Sequence, residues 1–203
     1  RLDTGVFFQV PNMIKVLKDN AFWDIYYEHC SYFTPGTLTR LFTGCGFDVT
    51  HVETGYDDQY IMLDARPGNA LRGQTHIEGL DEPAFVRYLT GRFERRHRVA
   101  TEAWRRRVLA VSRAGGGVAI WGGGSKAVAF LSTTGLASDV QAVVDINPYK
   151  HGYYLPGTGH LVSAPDSLTE LAPDLVIVMN PIYEQEIRDH LQRLQLQPEV
   201  ACL

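Results

Sequence analysis

Short apolar runs broken by turn residues fill residues 1–68. One long stretch of helical periodicity follows, and continuously apolar runs of four or five residues mark the end of the chain. Val6-Phe7-Phe8-Gln9-Val10 is a strand candidate stopped by Pro11 and Asn12. Thr34-Pro35 opens a helix: threonine accepts from free amides at the helix start, and proline suits the first turn. Leu38, Leu41 and Phe42 give that helix an apolar face, and Gly44-Cys45-Gly46 ends it. Phe47 to Glu53 alternates and predicts a strand. Tyr60 to Ala65 predicts another, and the link at Gly55-Tyr56-Asp57-Asp58 suits an antiparallel pair.

Residues 81–113 carry Phe85, Tyr88, Leu89, Phe93, Val99, Ala103, Trp104, Val108 and Val111 at helical spacings, with Asp81 as a cap. This predicts one long helix or two joined ones. It holds nine arginines (87, 92, 95, 96, 98, 105, 106, 107 and 113) against four acids, Asp81, Glu82, Glu94 and Glu102. The local excess of positive charge suits a phosphate or nucleic-acid face, or more plainly a solvated helix joining two domains.

From residue 115 onward, strands alternate with helices. Val118–Trp121 and Leu175–Met179 are continuously apolar, Val140–Val144 is so apart from Gln141, and Tyr183–Leu194 reads as a helix with Ile187, Leu191 and Leu194 on one side. Such strands are buried on both faces, which predicts a Rossmann-like parallel sheet in an α/β fold. The expected domains are 1–68, a helical linker 69–114, and 115–203.

The composition is that of a folded chain: 45% hydrophobic, with a formal net charge of −4 that gives no reason to expect a nucleic-acid partner. Cys30, Cys45 and Cys202 lack C-x-x-C spacing, so no metal site or disulfide framework is expected, and free thiols suit a cytoplasmic setting. No membrane helix or signal peptide is expected. The chain opens on Arg1 and is expected to be part of a longer protein.

Gly122, Gly124 and Ala127 match G-x-G-x-x-[GA] between a strand and a helix, and Asp145 ends the next strand. In a dinucleotide fingerprint the glycines admit a phosphate to the helix start, and the acid accepts from a ribose diol. The alternative is a tight turn that binds nothing. Lys126 either adds charge to an anion site or is solvated. About 80 residues follow the loop, too few for a seven-stranded methyltransferase sheet, so a nucleotide or sugar phosphate is the better ligand. Lys150 and His151 begin a glycine- and tyrosine-rich stretch at the same sheet edge, where Asn180 and Tyr183 also fall. That stretch is either a ligand loop or an ordinary surface turn.

The densest chemical segment is Phe22 to Phe33, with four aromatic side chains before Glu28-His29. Histidine is the default base for proton removal near neutral pH. An aromatic core segment with one hydrogen-bonded histidine would look the same.

The run Asp24-Ile25-Tyr26-Tyr27-Glu28-His29-Cys30-Ser31-Tyr32-Phe33-Thr34-Pro35-Gly36-Thr37-Leu38, through Gly46-Phe47-Asp48-Val49, resembles the late part of a class I S-adenosylmethionine-dependent methyltransferase. Gly122 to Lys126, Val144-Asp145-Ile146-Asn147-Pro148-Tyr149-Lys150-His151-Gly152, Leu155-Pro156-Gly157-Thr158 and Pro173 to Val178 resemble the Rossmann-like C-terminal domain of the C-methyltransferases. That family includes enzymes that methylate carbon in nucleotide-linked deoxysugars. The resemblance implies that residues 1–68 end a methyltransferase catalytic domain, whose S-adenosylmethionine motif and zinc cysteines are expected before Arg1. It implies that His29 removes a proton next to a keto group, with Tyr26 and Glu28 positioning substrate or base. It also implies that the glycine turn and the Lys150 loop close over a small-molecule substrate, a nucleotide-sugar by family pattern; the candidate substrate-binding residues are Tyr32, Gly122, Gly124, Lys126, Asp145, Lys150, His151, Asn180 and Tyr183. The fragment alone is not expected to be active. Tyr56-Asp57-Asp58-Gln59-Tyr60 departs from the glycine- and serine-rich stretch of the sugar enzymes. Two other readings remain: a non-catalytic nucleotide-binding module, and an assembly module held by the arginine-rich helix.

Overall fold

A computed structural model describes residues 4–26, 29–68 and 83–203. The chain divides into two compact units, Arg1–Phe22 with Tyr27–His97, and Trp23–Tyr26 with Arg98–Leu203.

In the first unit, β1 (Val6–Pro11), β2 (Phe47–Gly55) and β3 (Tyr60–Pro67) form an antiparallel sheet in the order β1-β3-β2. Helix α2 (Pro35–Gly44) covers it. The Thr34 hydroxyl accepts from the Thr37 amide at 3.1 Å, and the Thr37 hydroxyl accepts from the Thr34 amide at 2.7 Å, a reciprocal cap. Leu38 and Phe42 bury against Val49, Ile61, Leu63 and Ala65. Leu41, expected on that face, is exposed instead.

A helix not foreseen, α1 (Met13–Asp19), follows β1 directly. Asn12 both ends the strand and caps this helix, accepting from the Ile14 amide at 3.0 Å. One short residue thus does what the expected stop signal at Pro11-Asn12 was read to do, and starts a new element as well. Ile14 and Leu17 pack against Leu89.

The β2–β3 turn is unusual. Tyr56, Asp57 and Asp58 all adopt left-handed backbone, with φ of 55°, 57° and 61°. For residues with a Cβ this costs about 1–2 kcal/mol each, somewhat less for aspartate.

The arginine-rich stretch is one continuous helix, α3 (Pro83–Arg113), contributing to both units. The expected Asp81 cap lies outside the described residues. Leu89 and Val108 are buried, but Phe85, Tyr88 and Val99 are exposed rather than forming a continuous apolar face. Three arginines are engaged locally. Arg96 donates to the Lys18 carbonyl, Arg105 to the Thr134 carbonyl, and Arg107 pairs with Glu199 and lies 5.6 Å from the Trp104 ring centre.

The second unit is a five-stranded parallel sheet of β4 (Val118–Trp121), β5 (Ala142–Val144), β6 (Val162–Ser163), β7 (Leu175–Val178) and β8 (Glu199–Cys202). Their order is β6-β5-β4-β7-β8. The apolar runs expected as β4, β5 and β7 are the three central strands. The edge strands β6 and β8 escaped the pattern because one is two residues long and the other is only partly buried. Helices α4 (Ser125–Thr134), α5 (Leu168–Leu171) and α6 (Glu184–Arg193) accompany the sheet. Ala119, Trp121, Val176 and Val178 meet Leu168, Ile187 and Leu191 in one core layer. Val118 and Ile120, one residue out of phase, are buried on the other face.

Cys202 at the end of β8 is partly buried beside Glu184. Burial and that carboxylate push its thiol up to about 11. Cys30 and Cys45 are exposed. Thiol alkylation followed by mass spectrometry at pH 8 is therefore expected to modify Cys30 and Cys45 well before Cys202. Equal rates would contradict this environment.

No helix among the described residues is long and apolar enough to cross a membrane, and no group of three or more potential metal ligands occurs among them.

Candidate functional site

In the second unit the sequence-adjacent strands β4, β5 and β6 run outward in one direction from the middle of the sheet, and β7 and β8 run in the other. The chain reverses its winding between β4 and β7, and a crevice opens there at the carboxyl ends of the strands. A pocket of about 540 Å³ occupies that edge, a volume that suits a small organic ligand. Its base is Trp121, Gly122 and Met179 at the strand ends. One side is Asp145, Ile146 and Lys150 after β5, with Pro165. The other is Asn180, Tyr183 and the α6 residues Glu186, Ile187, His190 and Arg193.

The three glycines after β4 answer to different constraints. Gly122 has φ +117°, and a Cβ there would stand 3.0 Å from Met179 Cβ. A Cβ on Gly123 would stand 2.9 Å from a methyl of Val162 on β6. These two are fixed by backbone and packing. Gly124 is the open one: the nearest atom to its Cβ position is the Lys150 ammonium, 3.6 Å away. Lys150 therefore stands over the glycine turn at the start of α4.

Asp145 holds Lys150 there. The aspartate is 6% exposed. One carboxylate oxygen accepts from the Asn147 amide at 2.8 Å and the other from the Lys150 ammonium at 2.8 Å. The Asp145 backbone carbonyl accepts from the His151 ring at 2.7 Å. Asn147 in turn accepts from the Tyr149 amide at 3.1 Å, and Gly152 turns the chain with φ +82°. The run from Asp145 to Gly152 is thus a set of interlocking side-chain-to-backbone bonds that aims one lysine. Each carboxylate oxygen of Asp145 thus accepts one hydrogen bond, one of them from the lysine. A ligand over the turn meets the Lys150 ammonium, which suits an anionic group there.

Five residues expected at a binding site, Gly122, Asp145, Lys150, Asn180 and Tyr183, share the pocket. Gly124 lies beneath Lys150. His151 faces the Asp145 backbone. Lys126, in the first turn of α4, places its ammonium 5.9 Å from the Trp23 ring centre. Asn180 shapes the rim by accepting from the Ile182 amide at 3.4 Å. Sequence reasoning did not single out Trp121, Pro165, Met179, Glu186, Ile187, His190 or Arg193. The α6 contribution had a signal: Glu186, His190 and Arg193 follow one another at helical intervals of four and three residues. His190 packs edge-on against Trp121, with ring centres 5.3 Å apart, and lies 3.5 Å from an Asp166 oxygen.

Tyr32 and His29 belong to the first unit and Tyr26 to the second. Glu28 lies outside the described residues. The His29 and Tyr32 rings meet edge to face at 6.1 Å. Their segment is tied to the end of β1, where the Phe33 carbonyl accepts from the Met13 amide at 2.9 Å and Phe33 pairs with Asn12 in a parallel bridge.

The C-methyltransferase NovU of Streptomyces niveus is 30% identical over 199 residues, covering 92% of this chain and 46% of the relative. The chain therefore spans about half the length of that protein. The family described as the C-methyltransferase C-terminal domain matches residues 70–197, which contain the glycine turn, the lysine-aiming loop and every residue of the pocket. On that match, and on the parallel α/β sheet beneath it, this chain belongs to the C-methyltransferase C-terminal domain family.

Proposed function

We propose that this chain is the C-terminal portion of an S-adenosylmethionine-dependent C-methyltransferase. Its acceptor is a nucleotide-linked sugar or similar small molecule carrying a keto group, and the fragment by itself does not turn over. The observation that carries the reading is Lys150, aimed over the bare glycine turn by the buried Asp145 at the edge of a 540 Å³ pocket. An ammonium beside a helix start suits the phosphate of a nucleotide-linked acceptor. Trp121, Met179, Ile187 and Tyr183 offer apolar surface to a ring.

The methyl donor supplies an electrophilic methyl group; no residue of the glycine turn is assigned to it. This chain's own part is the acceptor. His29 takes a proton from the carbon next to the keto group and leaves an enolate. Tyr26 donates to the enolate oxygen, where negative charge collects. Glu28 orients the base or the substrate.

The test is calorimetric titration of the protein in its full natural length with S-adenosylmethionine and S-adenosylhomocysteine, followed by turnover assays with nucleotide-linked keto-deoxysugars. Binding of either cofactor form and methylation of one such sugar support the reading. Failure to bind both, with a free nucleotide still bound, returns the chain to a non-catalytic nucleotide-binding module.

A further inference from the structure

The strained β2–β3 turn does more than join two strands. A hairpin that only needs to reverse direction does so with two residues such as Asn-Gly, at no steric cost. Here four residues intervene between the paired Gly55 and Tyr60, and the first three are left-handed without a glycine among them. Tyrosine is the least suited of them, since a bulky residue at positive φ is an outlier. Strain of this kind persists only where the surroundings over-determine it, and they do. The Asn12 side-chain amide donates to the Asp58 carbonyl at 3.0 Å, and the Asn12 backbone amide donates to the Gln59 carbonyl at 2.9 Å. The Lys15 ammonium pairs with Asp57 at 2.9 Å. Thr54 donates its hydroxyl to Asp58. Asn12 itself is 3% exposed. All this holds up a tyrosine that is 68% exposed and touches Tyr60 only edge to face, at 5.8 Å.

The place matters as much as the shape. Asn12, at the carboxyl end of β1, has the hairpin tip on one side and Phe33 on the other, through the parallel bridge at Asn12 and the Met13 to Phe33 bond. Phe33 closes the segment that begins at His29. The tip and the His29 segment therefore flank one residue at one edge of one sheet, within a single compact unit.

We propose that Tyr56 is a specificity-determining residue of the methyl-transfer reaction: its ring packs on the ring of the acceptor beside His29, and Asn12 is the positioning residue that holds the strained tip in place. This rests on the C-methyltransferase reading above. The tyrosine supplies a flat apolar face to the C–H side of a sugar ring, and it fixes how the acceptor presents its carbon.

The experiment uses the full-length protein and the nucleotide-linked keto-deoxysugar that the wild type turns over. Tyr56→Ala is expected to raise the acceptor KM about tenfold, with the S-adenosylmethionine KM within twofold of wild type. Tyr56→Phe, which keeps the ring, is expected to restore the acceptor KM to within about threefold. Tyr56→Gly separates ring from strain: it is expected to raise Tm by about 2–4 °C as the backbone relaxes, while the acceptor KM rises as in Tyr56→Ala. A residue that only shaped the turn would move Tm and leave the KM values alone. An unchanged acceptor KM in Tyr56→Ala, or an equal rise for both substrates, overturns the inference and leaves the methyltransferase reading standing. A wild-type protein that methylates no such sugar overturns both.

Discussion

Replacing His29 with alanine in the full-length protein is expected to lower kcat about 10²- to 10⁴-fold, the usual contribution of a positioned general base. Binding of S-adenosylmethionine by calorimetry should change less than threefold. The reasoning is chemical. A proton next to a carbonyl leaves only when a base stands ready, and imidazole is the side chain whose unperturbed pKa lies closest to neutral. The structure adds that His29 is held rather than trailing: its ring meets Tyr32, and its segment is anchored to the end of β1 through Phe33. Alanine removes the base without removing the anchor, because the bond from Met13 goes to a backbone carbonyl. Equal losses of turnover and cofactor affinity would sink the base role and leave His29 as a packing residue of the aromatic segment.

The second large effect is expected at Asp145 and Lys150. Asp145→Ala deletes two hydrogen bonds at a site 6% exposed and frees Lys150 from the glycine turn. The expected loss is about 2–3 kcal/mol, most of it from the buried amide of Asn147 and the lost charge-assisted bond. Lys150→Met should cost less, about 1–2 kcal/mol. The lysine side chain is 41% exposed, so solvent screens part of the pair. The two residues touch, so their effects should not add: a double-mutant cycle from urea denaturation should give a coupling of about 1 kcal/mol. Function should separate them differently. Both variants are expected to lose more than tenfold in affinity for the nucleotide-linked acceptor, since one removes the ammonium and the other lets it wander. A coupling near zero, together with unaltered acceptor binding, would show that the pair is an incidental surface contact and that the pocket recognises something other than an anion.

The candidate site was legible in the sequence to different depths. The glycine turn was plain, because three glycines between an apolar strand and a helix have few other uses. What each glycine does was not. Gly123 is bare because β6 brings Val162 against it, and a two-residue strand leaves no pattern to read. The spacing of Asp145 from Gly124 suits a ribose acceptor. The same spacing suits a counter-ion for a lysine five residues further on, and only coordinates show that ion pair. The α6 wall of the pocket carried a helical spacing of polar residues, but a polar stripe on an amphipathic helix usually faces solvent. Whether it meets solvent or lines a crevice depends on what the neighbouring strands leave open.

What the sequence by itself determined is local or periodic. It set the three central strands of the parallel sheet, since runs such as Leu175–Val178 have no polar face to expose. It set the start of α2, since Thr34, Pro35 and Thr37 make a cap from neighbouring residues. It also set the family resemblance, which rides on contiguous motifs. The tertiary structure alone decided the strand order, and with it the reversal that opens the pocket between β4 and β7. It decided that Asn12 serves a helix, a hairpin tip and the His29 segment at once, and that Tyr56 is held up in a conformation its own side chain disfavours. The physical reason is common to these cases. Propensity and capping act over a few neighbouring residues. Pairing order, close glycine contacts and stored strain are set by partners tens of residues away, whose proximity exists only once the chain has folded.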